Sequence, residues 1–154
     1  LWPILRKHSE AMALWLLALA IGGFALAAVE QTTTLSLLSL SHAYAKAGAD
    51  AASFEIARGI VASARNWAHY VNLIVAGVTF LVFYTALFRF TLVPRVLAAF
   101  GILAALSQMT AISMPFFGHE VIFPLLAPLG LCQLALAIWL LVKGFGDTTT
   151  TRLG

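Results

Sequence analysis

Four apolar stretches, each about as long as a bilayer-crossing helix, constrain the fold of this chain most strongly. They cover residues 11–29, 67–88, 96–115 and 121–142. A helix rises about 1.5 Å per residue, so about 20 apolar residues cross the roughly 30 Å hydrocarbon core of a bilayer. The sequence therefore predicts an all-α integral membrane bundle of four transmembrane helices, formed as one domain over residues 1–145.

Composition supports this fold class. Hydrophobic residues make up 62% of the 154 residues and charged residues only 10%, whereas soluble domains carry roughly 45–50% apolar and about 25% charged residues. The net charge is +3, but the basic residues are dispersed along the chain. We interpret them as topology signals and not as a nucleic-acid site. Cys132 is the single cysteine, so no intrachain disulfide can form.

The first apolar stretch has two interpretations. Residues 6–31 have a basic start, an apolar middle and a small-residue end at 25–27, which is also typical of a secretory signal peptide. The apolar stretch at 11–29 is longer than the usual signal-peptide core of about 7–15 residues. We therefore expect a retained transmembrane helix. Because the chain begins at Leu1 and not at Met, we also expect the start of the protein to lie upstream.

Residues 46–66, "KAGADAASFEIARGIVASARN", separate the first two spans and have ordinary charge density. Their alanine content favours helix, and their apolar and charged residues suggest an amphipathic helix on the extracytoplasmic membrane surface. The carboxyl end, "GDTTTTRLG" at 146–154, is predicted to be a disordered tail. The residues behind the amphipathic interpretation are Phe54, Ile56, Ile60 and Val61 on the apolar side, and Asp50, Glu55, Arg58 and Arg65 on the charged side.

The stretch "RFTLVPR" at 89–95 leaves room only for a tight turn between the second and third spans. Pro94 suits the first position of a helix, with Thr91 or Val93 at the cap. Lys and Arg accumulate in cytoplasmic loops, whereas the loop at 116–120 has neither. We therefore expect both termini in the cytoplasm. The residues that carry this topology are Arg6, Lys7, Arg89, Arg95 and Lys143.

Histidines and carboxylates gather at the predicted outer side of the bundle. Imidazole and carboxylate bind zinc or iron, and two histidines on different helices can hold a haem. The alternative is that interfacial histidines are satisfied by headgroups and water. The candidate metal-ligating residues are His42, His69, His119 and Glu120.

The second span also carries a polar stripe, in which His69, Asn72, Ala76 and Thr79 recur at intervals of three and four. These residues share one helix face, which we expect to point into the bundle, where Asn72 and Thr79 meet glutamines of the third or fourth span. The stripe either forms interhelical hydrogen bonds, worth about 0.6 kcal/mol per pair, or lines a pocket for a polar lipid, a quinone or a small ligand. The candidate ligand-binding residues are His69, Asn72, Thr79, Gln108 and Gln133.

Small residues recur where helices could pack closely, as at Gly22, Gly23 and Ala27 in the first span. The third span has a similar set in Ala98, Gly101 and Ala105. None of the predicted spans contains Asp, Glu, Lys or Arg in its interior, the groups that mark ion pathways. The sequence also has no G-x-S-x-G or H-E-x-x-H motif. A self-contained transporter or hydrolase is therefore not predicted.

Two stretches, "LFRFTLVPRVLAAFGILAAL" and "LAIWLLVKGFG", resemble signatures of a bacterial family of multi-pass membrane proteins, domain of unknown function 4386. The earlier "LWPILRKHSEAMAL" and "LSLLSLSHAYAKAGADAA" are also similar to its middle section. The resemblance implies a bacterial inner-membrane protein, with further spans at the amino end in other members, and implies no catalytic residue. The family pattern often has charged residues within the helix at 11–29 and a Glu near Gln133, where this chain is apolar or carries an amide.

These observations leave two hypotheses from different classes. The first is a non-catalytic accessory or scaffolding subunit that packs against other membrane subunits or against itself. The alternative is a ligand-binding or redox protein that holds haem, quinone or lipid near the outer leaflet through His69 and neighbouring polar residues.

Overall fold

The computed structural model describes residues 2–47 and 51–145, and within these ranges it forms helices and no strands. Four of the helices are long and apolar enough to cross a membrane, which confirms the predicted all-α fold with four spans. The predicted tail at 146–154 lies outside the described residues, as does Asp50. The helices are α1 (Trp2–His8), α2 (Glu10–Ala47), α3 (Ala51–Arg89), α4 (Arg95–Ser113) and α5 (Ala127–Lys143), with 3₁₀ turns at Met114–Phe117 and Phe123–Leu126.

The first two long helices extend well beyond the predicted spans. α2 has 38 residues and α3 has 39, so each is about 57 Å long, nearly twice the thickness of the hydrocarbon core. The described residues within 46–66 therefore belong to these two helices and not to a separate surface helix. Residues 46 and 47 end α2, and residues 51–66 form the first part of α3, which continues without a break past the predicted boundary at 66–67.

The threonine-rich stretch after residue 30 stays helical, and its hydroxyl groups bond to carbonyl groups of the same helix. Thr32 donates to the Ala28 carbonyl oxygen at 2.8 Å, and Ser36 donates to the Thr32 carbonyl oxygen at 2.9 Å. Such bonds from residue i to the carbonyl of residue i−4 satisfy the hydroxyl without interrupting the backbone ladder. The weak helix propensity of threonine is then outweighed by packing on α3.

That packing follows a regular spacing along α2. Most residues of α2 that are at least partly buried recur at alternating intervals of three and four, the pattern of two helices wound side by side. At the far end of this α2–α3 hairpin the Tyr44 and Phe54 rings stack with centroids 4.2 Å apart. The residues that follow this spacing are Met12, Leu16, Leu19, Gly23, Leu26, Glu30, Thr33, Leu37, Leu40 and Tyr44, and Ala13 and Ala27 beside them are also at least partly buried.

The predicted turn at 89–95 is confirmed, but its caps differ from the prediction. α3 ends in a Schellman-type turn in which Leu92 N–H donates to the Leu87 carbonyl at 3.2 Å. Thr91 occupies the left-handed position of this turn, with φ 53°, where glycine is usually found. Pro94 is itself the N-cap residue of α4, no side chain caps the helix, and Arg95 is its first residue.

The core near this turn depends on one close contact between α3 and α4. Tyr84 is fully buried, and its ring lies against the backbone of Gly101, so that a Cβ at position 101 would collide with three ring carbons. The predicted close-packing role of Gly101 is thus observed in the structure. Gly22 differs, because a Cβ there would meet nothing within 4 Å.

The helices pack mainly on their neighbours in sequence: α1 on α2, α2 on α3, α3 on α4, and α4 on α5. Within the described chain, α4 is the most central span, since 39% of the residues in its most apolar 18-residue stretch are buried. α2 is the most peripheral span, with 11%. The apolar helix surfaces that remain exposed are therefore in contact with the lipid bilayer. One end of the bundle carries Arg6, Lys7, Arg89, Arg95 and Lys143, since the His8 ring lies 5.1 Å from the Phe90 ring and Arg95 and Lys143 line one cleft.

Candidate functional site

A polar cluster lies between the two long helices, about midway along their length. The Glu30 carboxylate of α2 accepts a hydrogen bond from His69 Nδ1 at 2.9 Å and one from Asn72 Nδ2 at 3.3 Å. Both donors come from α3 and share a face because they are three residues apart. Only 14% of the Glu30 side chain is exposed, so these two hydrogen bonds replace most of its contact with solvent.

The spacing of α2 explains why a carboxylate lies in this interface. Glu30 occupies one of the packed positions of α2 that are otherwise mostly apolar, between Leu26 and Thr33. About 20 residues separate it from the start of α2 at Glu10, which is the number needed to cross the hydrocarbon core. Glu30 therefore lies near the end of the membrane-spanning part of the hairpin, where a charged group costs less than at the bilayer centre.

The contact with Glu30 determines which nitrogen of His69 can bind something else. A carboxylate oxygen accepts hydrogen bonds, so Nδ1 carries the proton and Nε2 has a free lone pair whenever the ring is neutral. The His69 side chain is 43% exposed and forms part of the wall of a cavity. The cluster thus presents an oriented imidazole to whatever occupies that cavity.

The cavity has a volume of about 360 Å³ and lies between α3, α4 and the segment that leads into α5. This volume lies within the range of small-molecule sites, roughly 300–1,000 Å³. Its walls are mainly apolar, with three polar groups among them. The lining residues are His69, Tyr70 and Leu73 of α3, Gln108 and Ile112 of α4, and Val121, Phe123 and Leu126 beyond them.

Aromatic side chains border the cavity on one side. The Tyr70 ring lies edge-on to Phe116, with centroids 6.4 Å apart, and Trp67 packs against the same phenylalanine at 5.3 Å. Tyr and Trp favour the boundary between lipid and water. Their positions agree with a cavity near one membrane boundary.

The structure brings together only part of the predicted ligand-binding set. His69 and Gln108 line one cavity, as the pocket hypothesis requires. Asn72 bonds to Glu30 and not to a glutamine, which corrects the prediction, because α2 is the helix that faces this side of α3. Thr79 donates to the Val75 carbonyl of its own helix at 2.7 Å, so it also differs from the prediction. Gln133 is half-buried on α5 and does not line the cavity.

The predicted metal-ligating residues do not form a cluster. His42, His119 and Glu120 are exposed, and no three His, Cys, Asp or Glu side chains in residues 2–47 and 51–145 come together in a way that could hold a metal ion. Only one histidine lines the cavity, so its described lining does not offer a pair of histidine ligands for a haem.

The functional residue that sequence reasoning missed is Glu30 as the partner of the polar stripe. Glu30 and His69 are 39 residues apart in the chain. The signal available in the sequence was the three-and-four spacing of the apolar residues in 12–44, which places Glu30 on the packed face of a continuous helix. That spacing becomes informative only if the threonine-rich stretch is read as helical.

The fold and the site together define a polytopic α-helical integral membrane protein with a small cavity at one membrane boundary. The family model described as "Domain of unknown function (DUF4386)" matches residues 1–144, which is most of the chain. The chain therefore belongs to this family, as the resemblance of its motifs predicted. No curated protein and no solved structure matches the chain.

Proposed function

We propose that this membrane protein is a binding protein that holds a small amphiphilic molecule, such as a quinone or a lipid with a hydroxyl or carbonyl head, in the cavity beside His69. The observation that carries the proposal is the mainly apolar cavity with an imidazole oriented by Glu30 on its wall. The apolar walls accommodate the body of the ligand. His69 and Gln108 provide the hydrogen bonds that recognise its head.

The ligand class follows from the polar groups available. Neutral His69 accepts a hydrogen bond through Nε2, and the Gln108 amide can both donate and accept. A hydroxyl or quinol head donates a hydrogen bond to His69 Nε2, and a carbonyl oxygen accepts one from the Gln108 amide. No acidic or basic side chain other than His69 lines the cavity within the described chain, so a ligand with a strongly charged head would lack a partner.

The test is to extract the protein gently from its own membrane and identify bound molecules by native mass spectrometry and absorption spectroscopy. We expect an amphiphile to co-purify with the wild type and to fall at least about tenfold in His69→Ala, since a buried hydrogen bond of about 1.4 kcal/mol corresponds to that factor. His42→Ala is the matched control, because His42 is exposed on α2 and lines no part of the cavity.

A second variant distinguishes the contribution of the cavity to ligand binding from that of the His69 hydrogen bond. Leu73→Trp fills the space beside His69 and leaves the Glu30 contact in place, so it should also exclude the ligand. Co-purification that is equal in the wild type, His69→Ala and Leu73→Trp would refute the binding proposal, as would a purified protein that carries no amphiphile.

A second candidate function is that of a non-catalytic subunit that packs against a partner membrane helix, supported by the outer face of α2. Exposed residues on that face recur at the same intervals of three and four as on the packed face, a spacing that suits a second helix partner. Leu35 and Leu38, which are 62% and 55% exposed, continue this face beyond Glu30, more than 20 residues from the start of α2. The exposed residues on this outer face of α2 are Leu14, Leu17, Ile21, Phe24, Ala28, Gln31, Leu35 and Leu38.

Photocrosslinking in native membranes tests this candidate. A photoreactive residue at Leu38 should give a discrete crosslinked species, whereas the same residue at Leu37, which faces α3, should give none. The double variant Leu35→Ser, Leu38→Ser should abolish the complex and leave thermal stability unchanged. A protein that runs as a monomer in mild detergent and gives no crosslink from Leu38 would rule out the subunit role.

A further inference from the structure

A second cleft lies at the opposite end of the bundle from the His69 cavity. It has a volume of about 400 Å³ and lies between the α3–α4 turn and the end of α5. The turn contributes residues 91–94, α4 contributes Arg95, and α5 contributes Trp139 and Lys143, followed by Gly144. The cleft is therefore at the other membrane boundary and is independent of the proposed function.

Two cationic side chains line this cleft without a carboxylate to neutralise them. Arg95 and Lys143 form no ion pair with any residue in 2–47 or 51–145, and none of the lining residues is acidic. The Lys143 ammonium lies 5.1 Å from the centroid of the Trp139 ring. This contact holds the charge at the cleft wall, since a cation over an indole face is attracted to it.

The start of α4 adds to the positive potential. Helix N-termini carry a partial positive charge, which an acidic residue or a capping oxygen normally offsets. α4 has no acidic residue in its first turn and no side-chain cap at Pro94, and its first residue is Arg95. Both the side chain and the helix terminus therefore favour an anion at this position.

The remaining walls of the cleft are apolar. Leu92, Val93, Pro94 and Trp139 are among its lining residues, and Thr91 supplies a hydroxyl group at the turn. A site with an apolar floor and two cations at a membrane boundary suits a molecule with an acyl chain and an anionic head. Basic pockets between transmembrane helices bind acidic lipid headgroups in this way.

We propose that this cleft binds a phosphate group, supplied by an anionic phospholipid or by a soluble phosphate ester. Arg95 contacts the phosphate through its guanidinium group, which matches phosphate oxygens in pairs. Lys143 provides the second positive charge. The apolar wall covers the glycerol and the first part of an acyl chain when the occupant is a lipid.

Tryptophan quenching by brominated lipids tests this proposal on the full chain. A variant that keeps only Trp139, with Trp2, Trp15 and Trp67 changed to Phe, is titrated in mild detergent with dibrominated phosphatidylglycerol and separately with dibrominated phosphatidylcholine. We expect phosphatidylglycerol to quench at about 25-fold lower concentration, because each basic side chain contributes roughly fivefold to the binding of acidic lipid. Native mass spectrometry of the wild type with the same lipids provides a second measurement if the tryptophan variant does not fold.

The preference for phosphatidylglycerol should disappear in the double variant Arg95→Gln, Lys143→Gln. It should persist in the single variant Arg89→Gln. Arg89 is the matched control, because it lies at the same end of the bundle over the Phe90 ring and does not line the cleft. Equal quenching by the two lipids would overturn the proposal, as would a loss of preference in Arg89→Gln as large as in the double variant. Displacement of phosphatidylglycerol by millimolar glycerol 3-phosphate would support a soluble phosphate ester as the occupant, and resistance to displacement would support the lipid.

Discussion

The contact between Tyr84 and Gly101 makes a substitution of glycine by alanine at position 101 a sharp test of the packing of α3 on α4. A Cβ at this position would collide with three carbons of the Tyr84 ring. The ring is fully buried and its neighbour Phe83 lies 5.3 Å away between centroids, so it has little room to move. The two helices must therefore separate to admit one methyl group.

The magnitude follows from two opposing effects. Overpacking a rigid core costs about 1–3 kcal/mol, and the upper end applies here because the obstructing atoms belong to a buried ring. Replacing glycine by alanine inside a helix returns up to about 1 kcal/mol through helix propensity. We therefore expect Gly101→Ala to reduce the free energy of unfolding by about 2 kcal/mol, which lowers Tm by about 4–8 °C for a chain of this length.

Other glycines provide matched controls for the same substitution. A Cβ at Gly22 or Gly59 would meet nothing within 4 Å, so alanine there should be neutral or stabilise the protein by up to about 1 kcal/mol. Gly77 is intermediate, because the atom in the way is Cγ of the flexible Met109 side chain at 2.6 Å. Thermal unfolding in mild detergent, followed by circular dichroism, should show the alanine variants at Gly22 and Gly59 as the most stable, the variant at Gly77 as intermediate and the variant at Gly101 as the least stable.

The reasoning would be refuted if Gly101→Ala were as stable as Gly22→Ala. A double-mutant cycle with Tyr84→Leu adds a further check, because a smaller side chain at position 84 should reduce the cost of alanine at 101. An unchanged cost in that background would show that the ring is not the obstacle.

Three further substitutions test individual features of the structure. Thr91→Gly should raise Tm by about 2–8 °C, because a left-handed backbone costs an L-residue about 1–2 kcal/mol that glycine avoids; a lower Tm would show that the threonine side chain is needed. Glu30→Gln should destabilise the protein by about 1–2 kcal/mol and lower ligand occupancy, because the charge that orients His69 is lost; unchanged values by calorimetry and mass spectrometry would refute this role. Tyr84→Phe should be neutral or stabilise by up to about 1 kcal/mol in thermal unfolding, because the hydroxyl group is buried beside the Cys132 thiol, which is only a weak hydrogen-bond partner; a clear loss would show that this contact stabilises the fold.

The number and approximate position of the spans could be predicted from the sequence, because they depend on local quantities. Bilayer thickness and rise per residue convert directly into a length of apolar chain. The turn at 89–95 was predictable for the same reason, since the two apolar stretches are joined by too few residues to form anything but a tight turn. The ends of the first two helices were not predictable in this way.

The extension of α2 beyond residue 30 depends on tertiary packing. Glu30, Gln31 and the threonines at 32–34 look like the start of a loop, because they are polar and threonine is a weak helix former. Their hydroxyl groups bond within the helix, and the positions from Thr33 to Tyr44 pack on α3. Neither interaction can be read from local composition.

The pairing of Glu30 with His69 depends on the register of two helices, which a single sequence does not fix. A polar residue at a packed position of paired helices can set that register, since a shift along the partner would leave it buried without its hydrogen bonds. Glu30 and Asn72 would be sufficient to set the register of the two helices. Setting the register does not require an imidazole that keeps 43% of its side chain exposed on the wall of a cavity.

Under the proposed function, the cluster combines a structural role with a binding role. Glu30 is held in the hairpin by two donors, and only His69 also reaches the cavity. A ligand that bonds to Nε2 strengthens the imidazole–carboxylate contact by polarising the ring, so ligand binding and hairpin register should stabilise each other. Loss of the ligand is then expected to weaken the packing of α2 on α3 before it affects α4 and α5, because the contacts of the cluster lie in the first interface.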